Sequence, residues 1–130
     1  MNKYLVAAAF AAALAMNPAY ADTTTMSAVP AHSATVTNWY KQNVYDPADN
    51  KIGDVKDVLL SQDGKVSALI ISVGGFLGMG EKDVAVPFSA VKEKTKDNMP
   101  YLTLDTTKDA LKAAPGFKYD SNSMTWTPST

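Results

Sequence analysis

The amino-acid sequence predicts a mainly β fold, in which short antiparallel strands surround one small core and a single short helix lies near the C-terminus. Three observations predict it. Aliphatic and β-branched runs recur between clusters of turn formers, an Asp-Gly pair joins two of those runs, and a Thr-led stretch of helix formers stops at Pro115-Gly116. With 130 residues and 46% hydrophobic content, the chain has material for one compact domain, and a core of that size can stand without staples. The chain contains no cysteine, so packing must supply its stability in any redox compartment.

The chain opens on a pattern that precedes any fold. Lys3 supplies a positive start, residues 5–16 form an apolar run, and Ala19-Tyr20-Ala21 is a small-x-small cleavage pattern before Asp22. The run is shorter than the roughly 20 residues that a membrane-spanning helix requires. Residues 1–21 are therefore expected to be a secretory signal peptide cleaved after Ala21, leaving a periplasmic or secreted protein with no transmembrane segment. Cleavage removes one lysine and no carboxylate, which takes the formal charge from -1 to -2. Residues 22–38 are Thr, Ser, Ala and Pro with few large apolar side chains. Such a composition does not offset its ordering entropy and reads as a flexible linker.

The folded domain is expected over residues 39–119, beginning near Trp39 and Tyr40. Val44-Tyr45 leads into the turn formers Asp46-Pro47-Ala48-Asp49-Asn50, and residues 52–60 follow as a strand. Asp63-Gly64 then turns the chain into a second strand over 65–73, making an antiparallel hairpin. In that second strand Val66, Ala68 and Ile70 share one parity while Leu69, Ile71 and Val73 share the other, so both of its faces need cover. A small barrel covers one; a C-terminal segment or a second subunit must cover the other. Residues 83–88 alternate, with Val84, Val86 and Phe88 on one side, and Pro87 marks a strand end or an edge. Leu102 and Leu104 repeat the alternation after a turn at Asn98-Met99-Pro100. Thr106 with Asp109 resembles a helix start. Phe117 is expected to dock, and residues 120–130 form a tail whose last residues fray.

The residues that carry a family resemblance lie within this domain. They are Val44-Tyr45-Asp46, Lys51-Ile52-Gly53-Asp54, Asp57-Val58-Leu59-Leu60, Asp63-Gly64-Lys65-Val66 and above all the run Gly74-Gly75-Phe76-Leu77-Gly78-Met79-Gly80-Glu81-Lys82-Asp83, which continues into Val84-Ala85-Val86-Pro87-Phe88. Over roughly residues 39–105 the chain resembles the PRC-barrel family, in particular its small exported bacterial members. The resemblance implies a small, partly open antiparallel β-barrel of five to six strands. It is similar to the barrels of the photosynthetic reaction-centre H subunit and of a ribosome maturation factor, which use the domain to bind other macromolecules.

Composition narrows the function. Every basic residue is a lysine and the chain is net acidic, which supplies neither the forked guanidinium of phosphate recognition nor the basic footprint of a nucleic-acid binder. Lys92, Lys94 and Lys96 are interleaved with Glu93 and Asp97 and read as a solvated surface. The glycine-rich run fails as a nucleotide loop, because Glu81 stands where a phosphate loop needs lysine. Asp46, Asp49, Asp54 and Asp57 lack the alternating oxygen ligands of a calcium loop and read as turn formers. The single histidine, His32, lies in the linker, with no fixed geometry toward any serine. No catalytic residue, cofactor or metal is expected.

What remains is an exported, non-catalytic binding or scaffold module for protein–protein interaction. Its partner is an unidentified protein or a second copy of the chain, not nucleic acid. The candidate interaction loop is Gly74, Gly75, Phe76, Leu77, Gly78, Met79, Gly80, Glu81, Lys82 and Asp83, with Phe76, Leu77 and Met79 displayed between glycines. The competing readings are an envelope small-molecule or ion binder that uses Glu81, Lys82 and Asp83 at the barrel mouth, and a carboxylate-dependent hydrolase.

Overall fold

The computed structural model describes residues 24–74 and 80–129. The chain divides into two units, residues 1–33 and 34–130. Of the first, residues 24–33 are described, and they are exposed and carry turns and bends only. The expected signal peptide lies outside the described residues. Among the described residues no helix is long and apolar enough to cross a membrane.

The second unit is built on a six-stranded sheet. Its strands are β1 (Asn43–Tyr45), β2 (Lys51–Leu60), β3 (Val66–Val73), β4 (Lys82–Pro87), β5 (Val91–Lys96) and β6 (Met99–Leu104). In space they run β4-β3-β2-β1-β6-β5, and a two-stranded hairpin of β7 (Phe117–Asp120) and β8 (Thr125–Pro128) is separate. A 3-10 turn at Phe88–Ala90 leads directly from β4 to β5. The two edge strands are therefore consecutive in the chain, and the sheet curls without closing. The expected fold class stands, as an open curled sheet with one short helix, α1 (Lys108–Ala113).

All but one of its pairings are antiparallel. β1 pairs β6 in parallel, Val44 opposite Leu102 and Tyr45 opposite Thr103. The reason is topological: β6 arrives from its own hairpin with β5, after the chain has gone around the core.

Turn chemistry sets the connections. Gly64, at φ 86°, turns β2 into β3, where a side chain would be strained. Asp46 closes the β1–β2 turn, its Oδ1 accepting from the backbone N–H of Ala48 at 2.9 Å and of Asn50 at 2.8 Å. The β5–β6 turn is Asp97-Asn98, with φ of 53° and 62°, the left-handed pair of a tight hairpin. The turn falls one residue before the expected Asn98-Met99-Pro100, and the segment 92–96, expected as a solvated surface, is more than that. It is strand β5, whose polar alternation disguises it.

The core is made by Val44, Ile52, Val55, Leu69, Ile71, Val73, Val84, Leu102 and neighbours, with Trp39 packed on Phe88 at 4.7 Å between ring centroids. A bulge in β2 sets which of that strand's side chains enter the core. Val55 pairs Ile71 and Asp57 pairs Ile70, so Lys56 is an extra residue. That bulge turns Asp57 outward and returns Val58 to the core. At Gly53 the β3 backbone leaves no room for a side chain: a Cβ there would meet the Ser72 carbonyl oxygen at 2.6 Å.

Ile70 is fully buried yet stands outside the core cluster. It belongs to the second face of β3, and the row Asp57–Ile70–Ala85 crosses β2, β3 and β4. The hairpin covers this row: Trp126 Nε1 donates to Asp57 Oδ2 at 2.8 Å, and β7 packs against β4. The C-terminal segment thus supplies the predicted second cover. Residues 125–128, expected within a fraying tail, are strand β8. Thr107, rather than Thr106, caps α1, its hydroxyl accepting from Ala110 N–H at 3.1 Å, and Leu111 drops into the core.

Candidate functional site

The glycine loop joins β3 to β4, with Gly74 and Gly80 as its described ends. Residues 75–79, with Phe76, Leu77 and Met79, lie outside the described residues. Gly74 and Gly80 take φ of 72° and 71°, the left-handed region open to glycine.

Past Gly80, each polar residue of the candidate loop has a partner within the chain. Glu81 accepts from the Ser72 hydroxyl at 2.8 Å and from Lys56 Nζ at 3.3 Å. Lys56 Nζ also reaches Asp83 Oδ2 at 3.0 Å. Lys82 turns the other way, donating at 2.6 Å to the carbonyl oxygens of Lys112 and Ala114 at the end of α1. That arrangement satisfies carbonyls a helix leaves open and sets a positive charge at its negative end. The loop therefore springs from a stem braced on β2, β3 and α1.

Hydrogen bonding favours the charged forms of Glu81 and Lys56. The Ser72 hydroxyl, then the Lys56 ammonium, hold the Glu81 carboxyl below its ordinary value. The hydrogen bond to Asp83 leads the contacts that raise Lys56. Asp83 Oδ1 is buried without a partner, consistent with a single ammonium shared between two carboxylates. Shallow hollows of about 260 Å³ and 360 Å³ adjoin the stem and share Asp54, Ser72 and Glu81.

Sequence reasoning missed Ser72 and Lys56. Ser72 had a signal, as a buried hydroxyl inside an aliphatic strand. Lys56 had none, because its direction comes from the bulge. The aspartates stay apart: Asp46 serves its turn, Asp49 pairs with Lys96 at 3.3 Å and accepts from the Tyr101 hydroxyl, and Asp57 holds Trp126. Among the described residues there is no group of three side chains suited to a metal ion.

A second surface lies on the other half of the sheet, across β1 and β6, where Tyr45 and Tyr101 stack at 4.7 Å between centroids. They line a hollow of about 420 Å³ with Gln42, Asn43, Lys96 and Met99.

An open curled sheet carrying a braced loop and shallow, open surfaces is the form of a small macromolecule-binding domain. Residues 33–111 match the PRC-barrel domain, more than half of the chain, and the chain belongs to that family. No curated protein matches it. PRC-barrel domains are non-catalytic binding and scaffold modules, generally for protein interaction, and the chain is of that class and not an enzyme. The match ends within α1, so the β7–β8 hairpin lies beyond the matched region.

Proposed function

We propose that this chain is an exported scaffold module that binds a protein partner, or a second copy of itself, through the loop of residues 74–83. One observation carries the reading: the stem of the loop is fixed from both sides, by Lys56 and Ser72 on Glu81 and by the α1 carbonyls on Lys82. A rigid stem lowers the ordering cost of presenting apolar side chains to a partner. The engagement of Glu81, Lys82 and Asp83 within the chain also favours this reading over a small-ligand mouth, since those groups are occupied. Export rests on Lys3, the apolar run and Ala19-Tyr20-Ala21.

The test is capture from envelope extract by residues 22–130, beside a folded Phe76→Ser, Leu77→Ser variant. A partner, or self-association, kept by the first and lost by the second supports the loop. Equal behaviour of both, together with thermal stabilisation by small anions or cations, would instead establish the small-ligand reading. Cell fractionation with N-terminal sequencing should find a mature chain starting at Asp22.

A further inference from the structure

Strand β5 is the free edge of the six-stranded sheet: its order ends β1-β6-β5, and among the described residues nothing pairs with its outer side. Alternation sorts its side chains. Val91 enters the core with Leu102 and Leu104 of β6. Lys92, Lys94 and Lys96 therefore all point to the opposite, outer face, while Glu93 and Thr95 share the parity of Val91. Cross-strand pairing sets the lysines beside Thr103, Tyr101 and Met99. Glu93, which dilutes this cluster in the sequence, is thus removed from it in space. Lys96 is paired with Asp49, and Asp46 and Asp105 line the hollow beside Lys92 and Lys94, but among the described residues no carboxylate forms an ion pair with either of those two.

Resting on the reading of the chain as a protein-binding module, we propose that the β5 edge docks an extended acidic segment of the partner, with carboxylates at alternate positions. Two requirements coincide here. A free edge offers unpaired backbone groups to an added strand. Lys92 and Lys94, two residues apart and without an ion pair, match carboxylates at alternate positions of that strand, where opposite charges face each other across the ladder, while Lys96 is shared with Asp49. The lysines equally repel a second copy of the same edge. The surface therefore selects an acidic strand over self-pairing. Tyr101 and the exposed Met99 extend the contact beyond charge.

The test uses two capped peptides of one composition, Glu-Thr-Glu-Thr-Glu-Thr and Glu-Glu-Glu-Thr-Thr-Thr, titrated into residues 22–130 and followed by amide chemical shifts. The alternating peptide should bind more tightly than the block peptide, roughly two- to fivefold for each charge pair kept in register. Shifts should centre on residues 91–96. Lys94→Glu, at an exposed site, should weaken the alternating peptide about tenfold or more. Equal affinity for both peptides, equal affinity for phosphatidylglycerol vesicles, or no binding would overturn the proposal. A partner captured through Phe76 and Leu77 but unaffected by Lys92→Glu, Lys94→Glu would leave the scaffold reading standing while this edge fails. Register-selective peptide binding with no loop-dependent capture would support the edge and remove the loop.

Discussion

The two halves of the sheet solve the problem of an outer face in opposite ways. Across β2, β3 and β4 the outer face is covered by the β7–β8 hairpin and its charges are answered within the chain, Lys56 by Glu81 and Asp83, Asp57 by Trp126. Across β1, β6 and β5 the outer face is bare, with Lys92 and Lys94 unanswered by any described carboxylate and Met99 exposed. Both halves carry acids, lysines and aromatics. What distinguishes them is where the partners come from. On the first half charge is structural; on the second Asp49 holds Lys96 and Tyr101, and Lys92 and Lys94 are the available charges.

Substitutions can break that contrast, and the largest effect belongs to the covered half. Ile70→Ala should cost about 2–5 kcal/mol in urea unfolding, because Ile70 is fully buried beneath the hairpin. A cost below about 1 kcal/mol would mean that the hairpin does not cover this face. Trp126→Phe keeps most of the ring but leaves Asp57 Oδ2 without its donor, for a loss of about 1–2 kcal/mol. Hydrogen exchange in β7 and β8 should rise at the same time.

Lys82→Met retains the aliphatic stem and removes the bonds to the Lys112 and Ala114 carbonyls. About 1 kcal/mol should be lost, with helical signal from residues 108–113 reduced first. Smaller still is the contribution of Glu81. Its carboxyl is held low in the folded chain by the Ser72 hydroxyl and by Lys56. The stabilisation is therefore full above the ordinary carboxylate value of the unfolded chain, and it is lost as pH falls through the lower folded value. Ser72→Ala should flatten part of this acid dependence while leaving the rest, since Asp46 and Asp63 are also held low, by the Asn50 N–H and the Ser61 hydroxyl respectively. An unchanged pH profile would remove Ser72 from the account. On the bare half, Lys94→Gln should change stability by less than about 0.5 kcal/mol, and a larger loss would mean that β5 is covered after all.

The fold was legible where hydrophobic alternation or turn chemistry is strong. Ile52 to Leu60, the Asp-Gly turn and the aliphatic run into Val73 specify the β2–β3 hairpin by themselves. The demand for cover on both faces of β3 was legible too. The identity of the second cover was not, because Phe117 and Tyr119 alternate over four residues only and Trp126 is a lone large side chain among Ser, Asn, Met and Thr. Strand β5 was hidden for a related reason: as an edge with only Val91 in the core, it has no need of apolar residues. In the candidate site, Glu81, Lys82 and Asp83 were visible as a polar cluster. Their partners were not, since Lys56 lies 25 residues before Glu81 and the Ala114 carbonyl 32 residues after Lys82.

The sequence by itself determined what depends on local order along the chain: the strand-and-turn rhythm, the apolar core positions, the family, and the absence of arginine and cysteine. Only the tertiary structure decided which charges are spent and which are free. That outcome depends on strand register, and one extra residue at Lys56 is enough to turn Asp57 from the core toward Trp126. Because neighbouring side chains on a strand point to opposite faces, a charge cluster in sequence can be separated in space, as Glu93 is from Lys92 and Lys94.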